Sequence, residues 1–240
     1  MRRQGLSGTA LQGLAVLSMT VDHIGAVIMR ERQVPWVAIL REMPALFGMR
    51  AIGRAAFPIF AFLLAQGMLH TRSRKRFILR LAVFALLSEL PFDLAFYGVA
   101  FYPHHQNVFF TLCLGAVCIA LVDHGGRAFG LFAILATALL AQLLYTDYAA
   151  LGVMTILMFW SLSSKGKAGT ATVVLLFTVG CLLYGRWVYL FCLLSLPLLL
   201  CYNGMRGGPA KDSGAAIRKW GFYFYYPGHL LVLFALLGRQ

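Results

Sequence analysis

Asp22 and His23 stand side by side within residues 11–29, an otherwise apolar run long enough to span a bilayer. An ionisable group at that depth costs roughly 2.5–3.5 kcal/mol to insert on translocon scales, and such groups persist where they face a bundle interior and have partners. A carboxylate beside an imidazole is also a minimal kit for proton transfer near neutral pH. The dipeptide therefore marks a candidate site, and it restricts the fold to one that shelters the pair.

The remainder of the chain is equally apolar. Of 240 residues, 60% are hydrophobic and 12% are charged, about half the charge of a soluble domain, and the mean hydropathy is +0.78. Apolar runs cover residues 11–29, 51–69, 77–97, 107–123, 128–144, 149–162, 170–184, 187–201 and 223–238. No ten-residue segments of alternating polarity suggest a barrel. The expectation is an all-α polytopic membrane bundle of about nine helices (eight to ten), forming a single domain over residues 1–240. The first run lacks a small-residue cleavage motif after it and reads as a retained helix.

The net charge of +13 falls mostly between the apolar runs. That is the positive-inside pattern rather than a nucleic-acid surface. With nine spans, 14 of the 21 basic residues fall on the side of the N-terminus, which places that end in the cytoplasm. Residues 30–49 read as an outer connection with an interfacial helix, and residues 203–220 as a cytoplasmic loop. The five cysteines have no CxxC spacing and read as small buried hydrophobes; no metal is expected.

Further polar groups lie at membrane depth. Arg54 opens the second run, and Pro58 removes the hydrogen bond to the carbonyl of residue 54, predicting a kink. Glu89 and Asp93 are four apart on one helix face, with Pro91 between them. Their carboxylates call for a raised pKa or a partner such as Arg54 or His23. Asn107 begins the fourth run, Asp147 sits in an outer loop, and His104 and His105 read as solvated loop residues. On the cytoplasmic side, HTRSRKRF (residues 70–77) with Arg80, and FYFYYPGHL (222–230) after Arg218 and Lys219, combine cations with aromatics. Such a rim suits a nucleotide phosphate and base.

The ordered set DHIG (22–25), GRAAFPIFAFLLAQG (53–67), HTRSRKRF, RLAVFALLSELPFDL (80–94), YTDYAALGV (145–153), CYNGMRGG (201–208) and FYFYYPGHL resembles the TraX family of bacterial membrane proteins over nearly the whole chain. The family takes its name from an acetylase of the pilin subunit of conjugative pili. The resemblance implies a bacterial inner-membrane acyltransferase drawing on cytoplasmic acetyl-CoA and serving an amine or hydroxyl of a membrane or extracytoplasmic acceptor, a pilin N-terminus or a glycan. Gln12 stands where similar acyltransferases carry a basic residue ahead of the histidine. On this reading His23 is the general base, with Asp22 or Glu89 fixing its tautomer. Arg54, Asp93, Asn107 and Asp147 contact substrate or oxyanion. Arg72, Lys75, Arg76, Arg80, Lys219, Tyr226 and His229 receive the coenzyme. Two other classes fit the same residues: a proton-coupled transporter or exporter, and a non-catalytic pilus-assembly factor.

Overall fold

The computed structural model describes residues 4–33, 43–183, 185, 187–207 and 214–238, with residues 214–219 given by their backbone alone. The described residues are helical, with α1 Gly8–Glu31, α2 Pro44–Gly53, α3 Ala56–His70, α4 Arg74–Tyr97, α5 Val108–His124, α6 Arg127–Leu143 and α7 Ala149–Ser161. A 3₁₀ turn, Ser163–Lys165, leads into α8 Gly166–Leu183. A longer 3₁₀ stretch, Trp187–Leu194, continues as α9 Ser195–Leu200, and α10 is Gly214–Leu237.

Direction follows from which residues meet. Ser18 bonds Ile52 and Asp22 meets Arg50, so α2 runs antiparallel to α1. Arg30 reaches Leu94, near the end of α4, so those two are parallel. Asn107 at the start of α5 bonds Ala85 of α4, while Cys113 further along α5 lies beside Ile78. At the other end of the chain, Thr20 and His23 of α1 meet Tyr225 and His229 of α10, again in parallel. Thus α1, α4 and α10 run one way, and the α2–α3 pass and α5 the other. At one end, the N-terminal end, Leu6 and Gly8 hydrogen-bond the backbone of Cys201, Asn203 and Met205. The opposite end is called distal below.

Four helical segments are long and apolar enough to cross a membrane: Gly8–Glu31, Pro44–His70, Ser163–Leu183 and Trp220–Leu237. The peripheral helix α6 turns Leu131, Phe132, Leu135 and Leu143 outward, each about three-fifths exposed or more. A contiguous apolar face of that kind suits contact with lipid rather than water. The core lies behind it, with Ile59, Met68, Phe109, Ile119, Val153 and Phe177 fully enclosed.

The second pass begins earlier than the apolar run suggested, at Pro44 rather than residue 51. Of the expected outer connection, residues 43–49 belong to this pass or its cap, and residues 34–42 lie outside the described residues. The expected kink is a break between α2 and α3. Arg54 and Ala55 bond back three residues, to Ala51 and Ile52, instead of four. Pro58 sits in the first turn of α3, where its missing N–H costs nothing, and it cannot serve the carbonyl of residue 54. Pro91, by contrast, lies within the continuous helix α4.

Candidate active site

Asp22 faces α2. Its carboxylate meets Arg50 at 2.6 Å and Arg54 at 2.5 Å, and Arg50 also donates to the Asp22 carbonyl at 3.1 Å. Arg50 and Arg54 are four apart and point the same way from one helix. Arg54 Nε donates to the Arg50 carbonyl at 3.1 Å, and the Tyr189 ring lies 5.3 Å from its guanidinium carbon. All three charged side chains are largely buried. Gly53 makes the approach possible, because a Cβ there would fall on the Asp22 side chain. Asp22 thus lies between two guanidinium groups, and Arg54 presents N–H donors suited to an oxygen that gains negative character.

His23 faces elsewhere, since consecutive helical residues are 100° apart. Its Nδ1 lies 2.8 Å from His229 Nε2, and the two rings stack at 5.0 Å and 11°. Phe96 and Tyr226 present their edges to the His23 ring at 5.0 and 6.0 Å. His229 Nδ1 lies 2.9 Å from the Tyr225 carbonyl, and the Tyr225 and Thr20 hydroxyls are 2.7 Å apart. A groove of about 440 Å³ opens beside the pair, lined by Thr20, Tyr225, Gly228, His229, Val232 and Leu233. The expectation that Asp22 or Glu89 fixes the His23 tautomer is corrected: Asp22 is held by the arginines, Glu89 by α5, and the imidazole partner is His229.

A second polar cluster closes the distal end. Glu89 accepts from the backbone N–H of Asn107 at 3.3 Å and from its side-chain amide. Asp93 accepts from Tyr102 N at 2.8 Å. One oxygen of each carboxylate, Glu89 Oε1 and Asp93 Oδ1, is buried without a hydrogen bond among the described residues. These carboxylates were expected to reach Arg54 or His23. They instead meet the start of α5, whose N-terminal N–H groups favour negative charge.

Asn107 is likewise reassigned. Its two amide hydrogens go to Glu89 and to the Ala85 carbonyl, and its oxygen caps Phe109 N, leaving no donor for an oxyanion. His105 is not a freely solvated loop residue. Its Nδ1 lies 2.5 Å from the Tyr97 hydroxyl and its Nε2 3.6 Å from Asp147. Burial works against its protonation, and Asp147, with Glu89 and Asp93 behind it, outweighs burial and raises its pKa. The turn carrying Asp147 is pinned by Gln106 N to the Tyr145 carbonyl and Asp147 N to the Gln106 carbonyl, both at 3.0 Å. Tyr145, Tyr148 and Ala149 all take positive φ there, a strained backbone held in place by its neighbours.

The basic rim lies at the N-terminal end. Arg72, Lys75 and Arg76 are exposed, and half-buried Arg80 lies over the Phe77 ring at 5.6 Å. Arg74 pairs with Asp123. The Lys219 side chain lies outside the described residues. Tyr226 and His229 do not join this rim. Tyr226 is 2% exposed and packs edge-on to Phe109 at 5.0 Å, while His229 sits on His23. Neither is placed to receive a coenzyme's phosphates at that end.

The residues the sequence reading missed are Arg50, Tyr189 and the Tyr97–His105 pair. The spacing of Arg50 and Arg54 was a readable signal, since two arginines four apart with a glycine beside them imply one shared face. The aromatic partners come from distant segments and carried no local signal.

A bundle of apolar helices that buries a carboxylate between two arginines and a stacked histidine pair defines a membrane-type helical protein with a polar site inside it. The chain matches the TraX protein family over residues 7–237 and belongs to that family. It is also similar to the probable fimbrial assembly protein FimC, serogroup H1, of Dichelobacter nodosus, with 24% identity over 97% of this chain and 96% of that protein. No solved structure matches it.

Proposed function

We propose that the protein is a membrane acetyltransferase, carrying an acetyl group from acetyl-CoA at the cytoplasmic, N-terminal end of the bundle to an acceptor reached from the distal side. Its apolar helical segments are read as about nine transmembrane crossings of the bacterial inner membrane, with the N-terminus in the cytoplasm. The observation that carries this reading is the half-buried imidazole of His23, backed by His229, on the residue that follows Asp22 and its two arginines.

His23 takes the proton from an acceptor amine or hydroxyl as that group attacks the thioester carbon. The carbonyl oxygen gains negative charge, and Arg54 stabilises it with the guanidinium N–H groups not committed to Asp22 and Arg50. The carbon–sulfur bond breaks and His23 returns the proton to the departing thiolate. Arg72, Lys75, Arg76 and Arg80 hold the coenzyme's phosphates, in keeping with arginine's bidentate geometry. Glu89, Asp93 and Asp147 outnumber the one imidazole beside them and favour an acceptor that arrives as a cation, such as a polypeptide's amino terminus, which gives up one proton to water before its free amine attacks. The family's link to pili, through the fimbrial assembly relative, fits a pilin-type acceptor.

The test uses detergent-purified protein with acetyl-CoA, comparing wild type and His23→Ala for binding and for release of free thiol. The proposal expects both variants to bind and only the wild type to release thiol. Absence of binding and of thiol release in the wild type would remove the coenzyme from the account and leave proton-coupled transport as the better use of the same buried groups.

A further inference from the structure

We propose that His229 is the positioning residue for His23, setting its tautomer so that Nε2 is the nitrogen that takes the substrate proton. This rests on the reading of His23 as the base, but its geometric content can be tested separately.

The argument is a count of donors and acceptors. His229 Nδ1 faces the Tyr225 carbonyl at 2.9 Å, one helical turn back on α10. A carbonyl oxygen only accepts, so Nδ1 carries the hydrogen. In a neutral imidazole the other nitrogen, Nε2, then has a lone pair and no hydrogen. His23 Nδ1, 2.8 Å away, must supply the hydrogen of that contact. His23 Nε2 is left with the lone pair, and no hydrogen bond to it is present among the described residues.

The chain is anchored at its far end in the same way. Thr20 Oγ1 donates its one hydrogen to the Val16 carbonyl at 2.8 Å, so the Tyr225 hydroxyl donates to Thr20 at 2.7 Å. The Tyr225 ring in turn stacks on His229 at 5.0 Å and 10°. Tyr225 thus holds His229 by its carbonyl and its ring together, and α1 and α10 are registered by two contacts one turn apart. The arrangement has the logic of an orienting partner behind a catalytic imidazole, here filled by a second imidazole rather than a carboxylate. It also gives the proton a place to go, since when His23 Nε2 is protonated the hydrogen on Nδ1 can pass to His229 Nε2.

Nitrogen-15 spectra of histidine-labelled protein in detergent report which ring nitrogen of His23 carries hydrogen, with the signals assigned by His23→Ala and His229→Phe. The wild type is expected to show hydrogen on Nδ1. In His229→Gln, the side-chain oxygen still accepts from Nδ1, so the tautomer should persist and kcat should fall less than about tenfold. His229→Phe keeps a stacking ring but no acceptor; the tautomer should become mixed, and kcat should fall roughly 10²-fold or more with KM little changed. Hydrogen on Nε2 in the wild type, or an unaltered tautomer in His229→Phe, would overturn the assignment. The expected tautomer pattern in a protein without thiol release would leave the positioning geometry standing and refute the acetyltransferase reading instead.

Discussion

Replacing Asp22 by Asn keeps the shape of the side chain and removes a negative charge that lies between two buried arginines. Asp22 lies 2.5–2.6 Å from both cations, and the three side chains are only 8–14% exposed. At an effective dielectric constant of about 20 and a charge separation of about 4 Å, each pair is worth roughly 4 kcal/mol of Coulomb attraction. The amide oxygen still accepts one hydrogen bond, and the arginine stems can shift toward the distal end, which returns part of that. Arg50 and Arg54 nevertheless remain beside each other without the carboxylate that lies between them. A net loss of about 3–5 kcal/mol is expected, the range typical when one partner of a buried pair is removed. For a chain of this size that is on the order of 10 °C in Tm. Thermal unfolding in detergent, followed by exposure of the buried cysteines to a thiol-reactive dye, gives the measurement. Arg50→Met should cost much less, because Asp22 keeps Arg54, and it should recover part of the loss in the Asp22→Asn background. A Tm for Asp22→Asn within about 2 °C of wild type would refute the reasoning.

Gly53→Ala places a methyl group on the Asp22 Cβ and should destabilise the protein about as much as losing Asp22; the cost should persist in an Asp22→Ala background, which keeps that Cβ, and largely vanish in Asp22→Gly, as double-mutant cycles would show. His105, whose pKa is raised in the folded protein, contributes stability that is fully present below its unfolded value of about 6.5 and is lost as pH rises through the higher folded value. Tm measured across that range should therefore fall with rising pH in wild type relative to His105→Gln, and parallel curves would contradict the Asp147 pairing. The Arg74–Asp123 pair, with side chains 35% and 42% exposed, should be worth under about 1 kcal/mol, so Arg74→Ala should shift Tm by no more than a few degrees and less still in high salt.

The all-helical, apolar character was legible because apolar runs and the charges between them are a one-dimensional signal, while four helical segments are long and apolar enough to cross a membrane. The boundaries that failed did so for local reasons. Pro44 begins the second pass within a stretch whose charged and apolar residues are mixed, and Trp187–Leu194 is wound as 3₁₀ rather than α, which no hydropathy window distinguishes. The Asp22–Arg54 pairing lay within reach, because both residues sit at the distal ends of consecutive antiparallel passes. The His23 partner was assigned to the wrong end of the bundle for a simple reason. His229 belongs to an aromatic stretch next to basic residues, and sequence proximity suggested the cytoplasmic rim. Helix α10 begins at Gly214, however, so His229 lies fifteen residues into it, level with His23 in α1. Asn107 looked like a free amide because its role as the cap of α5 depends on Glu89, eighteen residues earlier.

The central claim is that acetyl leaves coenzyme A at His23 for an acceptor on the far side of the membrane. Membrane vesicles of known orientation, supplied with radiolabelled acetyl-CoA and containing wild-type protein or His23→Ala, test it most directly. The account predicts acetyl label on a vesicle polypeptide only in wild type, and only when the donor is on the cytoplasmic face. Equal labelling in His23→Ala, or labelling by donor supplied solely at the distal face, would contradict it.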